Sequence, residues 1–117
     1  MLNLLLNAEQ ALGAVRRPGT VRLRTALAEE PDSVMFEISD DGSGVPPQLA
    51  SRIFEPFFTT KVSGEGTGLG LSVSLGIAAA HGGTLMLLPS TRGARFALTL
   101  PMASIPALDT REAALTV

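Results

Sequence analysis

The chain has 117 residues, 45% of them hydrophobic, and a formal net charge of −2. That is enough for one domain with a modest core, and without a basic block nothing points to nucleic acid. With no cysteine and a single histidine, a disulfide framework, a Cys-based zinc site and a His-cluster metal site are excluded, and no apolar run approaches the roughly 20 residues of a membrane span.

Residues 2–15 read as a helix. At about 100° per residue, Asn3, Asn7 and Gln10 form one narrow stripe, while leucine, alanine and valine cover most of the remainder. A helix that apolar is expected to be buried on more than one side. Its amides then pair inside the core, face water or line a site, and the helix alone leaves these open. Arg16-Arg17-Pro18-Gly19 ends it, arginines suiting the negative helix end and Pro-Gly marking a turn.

Val21–Leu27 alternates apolar and polar residues and reads as a half-buried strand. Val34–Ser39 is a second strand, with Val34, Phe36 and Ile38 on its core face, and the short connection favours an antiparallel hairpin. It runs into Asp40-Asp41-Gly42-Ser43-Gly44, which by itself is most simply an Asp-Gly turn. Pro47–Phe54 reads as a short helix with proline in its first turn. Three of the five phenylalanines fall between 54 and 58, either as a satellite cluster or as an aromatic anchor for a segment ending in Lys61.

Gly64-Glu65-Gly66-Thr67-Gly68-Leu69-Gly70 then opens into an apolar helix, 71–80. Four glycines so close cannot be a packed helix or strand interior. Interleaved with leucine and opening a helix, the run reads as a phosphate cradle rather than a linker. It fits neither the P-loop nor the Rossmann pattern well. His81-Gly82-Gly83 stops the helix, and His81 suits a structural role near free carbonyls. Thr84–Leu88 and Arg95–Leu100 read as two more strands. Residues 109–115 form either a short helix or part of an exposed tail. The order of elements gives an α+β sandwich, helices covering one face of a mixed, largely antiparallel sheet.

Taken together, these stretches resemble the ATP-binding catalytic domain of bacterial sensor histidine kinases, in the Bergerat-fold group with gyrase, Hsp90 and MutL. Asn3–Ala8 is similar to its N box and Asp40–Gly44 to its first glycine box. Phe54–Phe58 is similar to its F box and Gly66–Leu71 to its second glycine box. Phe57-Phe58-Thr59-Thr60-Lys61, a short gap before the glycines, is similar to nitrogen-regulation-type kinases. The resemblance covers residues 1–101 and leaves 102–117 as a tail.

What the resemblance implies is residue-specific. Asn7 would hold Mg²⁺ beside the triphosphate, and Asn3, one turn earlier, would support the site. Asp40 would accept a hydrogen bond from the adenine amino group, with Gly42 and Gly44 letting the backbone close around the base. Gly66, Thr67, Gly68, Leu69 and Gly70 would serve the phosphates, with charge added by Lys61. Val62–Thr67 would be the least ordered part of a lid running from Lys61 to Gly70. In related ATPases a glutamate at the Asn3 position activates water. An amide cannot take that proton, which argues for a kinase over an ATPase.

The implied partners are a histidine-bearing dimerisation domain and, indirectly, a response regulator, with neither nucleic acid nor membrane contacted and a cytoplasmic location. No histidine precedes residue 81, so the phosphoacceptor is expected on a separate domain. The family's usual first strand and start of the first helix are also expected to be missing before Met1. Their loss would leave an open sheet edge and exposed apolar surface. Ala94 stands where many relatives have threonine. A serine kinase of the anti-sigma type on the same fold, and a nucleotide-binding module without turnover, are the alternatives.

Overall fold

The structure, a computed structural model, describes residues 1–13, 18–58 and 69–103. Seven elements follow in order. Helix α1 is Leu2–Gly13, strand β1 Val21–Leu27 and strand β2 Ser33–Asp40. A short 3₁₀ helix spans Pro47–Leu49, helix α2 is Gly70–Ala80, and strands β3 and β4 are Thr84–Leu88 and Arg95–Pro101. The sheet order is β1-β2-β4-β3, and all three pairings are antiparallel. The expected α+β sandwich is therefore present, with no parallel pair among the described residues.

The pairing register decides which side chains share a face. Leu23, Ile38, Phe96 and Leu87 form one row across the four strands. Thr25, Phe36, Leu98 and Leu85 form the next row on that face. The helices pack here, because this is the apolar side of the pleat. Leu4 and Ala8, one helical turn apart on α1, join Ile38, Leu85, Ala94, Phe96 and Ala78 of α2 in one buried cluster. Leu4 and Ile38 are its largest fully buried side chains, 2% and 1% exposed.

The opposite face carries Arg22, Ser39, Arg95 and Leu88 in one row and Arg24, Glu37, Ala97 and Met86 in the next. Glu37 is only 7% exposed although it lies on this open side. The Arg95 guanidinium covers it, donating through Nε and one terminal nitrogen to the two carboxylate oxygens, each at 3.1 Å. That fork holds the Glu37 carboxyl below its ordinary range against the opposing effect of burial, helped by the charges of Arg24 and Arg22.

Three expectations need correction. α1 is buried on one side: Leu2, Leu5 and Leu6 are exposed, because the sheet and α2 meet only its Leu4–Ala8 stripe. β1 alternates as expected but is not half-buried. Val21, Leu23 and Leu27 point to the helical side and remain exposed, because β1 is an edge strand lying largely beyond the helical layer. The helix expected over 47–54 shrinks to one 3₁₀ turn followed by irregular turns. Met1 and Leu2 are exposed. Both line a cavity of about 400 Å³ with Leu4, Phe36, Ile77 and Leu100.

The phenylalanine cluster divides. Phe54 packs edge-on against Phe96 at 6.3 Å between ring centres, Phe58 lies under the Arg52 guanidinium, and Phe57 is 73% exposed. Phe57 also sits at φ +66°, a left-handed conformation uncommon for a bulky residue. Residues 14–17, residues 59–68 (most of the lid expected from Lys61 to Gly70, including Val62–Thr67) and the tail from residue 104 lie outside the described residues.

Candidate functional site

Helix α1 connects two ends of a site. Near its start, Asn3 Nδ2 donates to the Gly70 carbonyl at 3.3 Å and to Ser74 Oγ at 3.2 Å, so it meets the first turn of α2. Near its other end, the Ala11 carbonyl lies where a Cβ on Gly42 would come within 2.8 Å. Only glycine lets the Asp40–Gly44 corner approach that closely. Eight residues of helix separate these contacts, about 12 Å at 1.5 Å per residue. Asn7 lies midway on the same stripe as Asn3 and is half-buried.

Asp40 ends β2 and is 8% exposed. Its Oδ1 accepts the Gly42 N–H at 2.9 Å and the Ala94 N–H at 3.4 Å. Its own N–H donates to the Ala94 carbonyl at 3.0 Å. One carboxylate oxygen is thus held by backbone donors, which fixes the direction of the other. Gly93 makes this possible: it sits at φ +70°, and a Cβ there would overlap the Asp40 carbonyl. The same loop touches Gly44, itself at φ +75°.

At the other end, α2 starts without a side-chain cap from Leu69. Among the described residues, nothing lies within 4 Å of a Cβ built on Gly70. An uncapped first turn presents N–H groups and the positive helix end, which suit a phosphate. His81 closes α2: its N–H donates to the Ile77 and Ala78 carbonyls, and Nδ1 lies 2.8 Å from the Ile77 oxygen. Its place is structural.

The structure brings Asn3, Leu69 and Gly70 to one end of α1 and Asp40, Gly42 and Gly44 to the other, with Asn7 between them. Lys61, Gly66, Thr67 and Gly68 lie outside the described residues. Three participants escape a reading of the sequence. The backbone of Ala94 orients Asp40, whereas the sequence drew attention only to its missing hydroxyl. Gly93 is signalled by its place in a turn, but its contact spans the sheet. Ser74, a polar residue inside an apolar helix, is the only visible sign of the link to Asn3.

The model for the family of histidine kinase-, DNA gyrase B- and HSP90-like ATPases matches residues 1–104, and the chain belongs to that family. It is 45% identical over 108 residues to the two-component sensor PprA of Pseudomonas aeruginosa, covering 89% of this chain and 12% of that protein. It superposes on the mycobacterial sensor histidine kinase MprB with a TM-score of 0.72 at 32% identity, covering 86% of this chain and 68% of the other. Full-length ShkA, solved in complex with AMPPNP, gives a TM-score of 0.70 at 33% identity over 88% of this chain and 21% of that one. The chain therefore spans between about a tenth and a fifth of the length of curated sensor kinases such as PprA and the ZraS of Escherichia coli O157:H7. No helix among the described residues is long and apolar enough to cross a membrane.

Proposed function

We propose that this chain binds Mg-ATP between α1, the Asp40–Gly44 corner and the start of α2, and donates the γ-phosphoryl group to a histidine on a separate dimerisation domain. The observation that carries the reading is the Asp40 clamp. A buried carboxylate with one oxygen tied to two backbone N–H groups aims its other oxygen as a fixed acceptor, as recognition of an exocyclic amino group requires. The structural relative ShkA was solved in complex with AMPPNP, which supports nucleotide binding.

The residues divide the work. Asp40 accepts from the adenine amino group and disfavours guanine, whose corresponding position is a carbonyl. Gly42 and Gly44 let the backbone close on the base. Leu69 and Gly70 present the first turn of α2 to the phosphates, with Gly66, Thr67, Gly68 and Lys61 completing that side. Asn7 supplies a neutral amide oxygen, a hard donor suited to Mg²⁺, whose other ligands would be phosphate and water oxygens. The metal, when bound, neutralises charge on the phosphates. In the transfer, the bond from the γ-phosphorus to the bridging oxygen breaks, a bond to an imidazole nitrogen forms, and ADP leaves. Asn3 cannot act as a water-activating base, because an amide holds no exchangeable acid–base pair near neutral pH.

Residues 1–101 are the catalytic domain in this reading and 102–117 its tail. The partner domain acts in the cytoplasm and passes its phosphoryl group to a response regulator. Incubating this chain with γ-labelled ATP and a histidine-bearing helical hairpin from a sensor kinase tests the assignment. Acid-labile label on the hairpin is the expected result. Acid-stable label would identify a serine kinase, and nucleotide binding without any transfer would identify a binding module.

A further inference from the structure

We propose that Ser74, together with Asn3, is a positioning strut for the phosphate end of the site, an inference that rests on the ATP reading above. Ser74 Oγ donates to the Gly70 carbonyl at 2.8 Å, one helical turn back, and accepts from Asn3 Nδ2 at 3.2 Å. Asn3 Nδ2 also donates to the same Gly70 carbonyl at 3.3 Å. Three groups from two helices thus close into one network around a single carbonyl.

The chemistry of the network restricts its members. The residue at 74 must donate and accept at once within a short reach, which a hydroxyl does and an alanine cannot. Residue 3 must present two N–H groups from one nitrogen, because both of its partners use it as a donor. A carboxylate there would face the Gly70 carbonyl with lone pairs. The amide at position 3 and the hydroxyl at position 74 therefore require each other, and the strut occupies the place where a water-activating glutamate is expected in related ATPases.

The start of α2 is also tied by Ser72 Oγ, which donates to the Leu69 carbonyl at 3.0 Å, and by Leu71, which packs against the core. Among the described residues, no side chain packs within 4 Å of where a Gly70 Cβ would be, and the Leu69 side chain makes no cap hydrogen bond. A serine bonded to its own helix four residues back bends or loosens the helix when it acts alone. Tied across to α1, it instead fixes the first turn of α2 relative to Asn7 and to the Asp40 corner. Loss of the strut acts on groups that meet phosphates and leaves the base end untouched.

The test uses the full chain with Ser74→Ala, Ser74→Thr, Asn3→Ala and the Ser74→Ala/Asn3→Ala pair, titrated calorimetrically with ATP and, separately, with adenosine. Ser74→Ala is expected to weaken ATP about fivefold, the effect of one net hydrogen bond, and to leave adenosine within about twofold. Ser74→Thr restores ATP affinity, and the double variant is no weaker than the worse single, as coupled residues behave. Hydrogen exchange at the amides of residues 71–74 reads the strut without nucleotide and should accelerate in Ser74→Ala. Equal loss of ATP and adenosine, additive single effects or unchanged exchange would each overturn the proposal. A wild-type chain that binds neither ligand, with exchange still accelerated in Ser74→Ala, would overturn the ATP reading and leave the strut as a structural tie only.

Discussion

Replacing Asp40 with asparagine changes one oxygen for an NH₂ group, and the structure fixes which one. The Gly42 and Ala94 N–H groups at 2.9 and 3.4 Å require an acceptor, so the amide oxygen stays on their side. The NH₂ group then points where the second carboxylate oxygen pointed. In the proposed complex a donor would then face the adenine amino group in place of an acceptor. Hydrogen bonds to charged groups contribute about 1.5–3 kcal/mol, and about 1.4 kcal/mol is a factor of ten, so ATP and adenosine should both weaken by about 10- to 100-fold. The same NH₂ group can donate to the guanine carbonyl, so the preference for ATP over GTP should narrow. The fold keeps its clamp and should lose only about 1 kcal/mol. Calorimetric titration with ATP, adenosine and GTP, alongside urea unfolding, measures all of this. Unchanged ATP affinity in a folded Asp40→Asn chain would refute the assignment of Asp40 as the base acceptor.

Other consequences follow from the same geometry. Gly93→Ala places a methyl group against the Asp40 carbonyl at positive φ, and unfolding in urea should show a loss of about 2–4 kcal/mol. Leu4→Ala empties a position that is closed between α1 and the sheet, and should cost about 2–5 kcal/mol by the same measurement. The Glu37–Arg95 pair gives a pH dependence with a defined sign. The Glu37 pKa is lowered in the folded chain by the Arg95 fork, so its contribution is complete above the unfolded carboxyl value of about 4.3. It is lost as pH falls from there through the lower folded value. Glu37→Gln should flatten that part of the acid limb in thermal melts taken from pH 6 to pH 3.

Much of this architecture is legible in the residues themselves. Strands β1 over Val21–Leu27 and β4 from Arg95 fall where alternation places them, because period two is read locally. Glycine at 82 and 83 likewise stops α2 where a helix end is expected. What sequence cannot show is what each face meets. Leu23 and Leu27 alternate like core residues, yet β1 is an edge strand reaching past the helices, a fact set by the order β1-β2-β4-β3. Pro47–Phe54 carries the residues of a short helix but turns away after Leu49, and Phe54 packs against Phe96 of a strand more than forty residues later. At the site, Asp40 looks like part of a simple turn until Gly93 and Ala94 arrive from the other end of the chain. Ser74 and Asn3 are 71 residues apart, and no local pattern joins them.

The most direct test of the central claim is an NMR titration of the isotopically labelled chain with Mg-ATP. Amide shifts should saturate together at two separated places, Gly42, Gly44 and Ala94 at the base end and Leu69 to Leu71 at the phosphate end. Arg22, Glu37 and Arg95 on the opposite sheet face should stay still. No saturable shift at either end, or shifts confined to the Arg22–Arg95 face, would contradict the site.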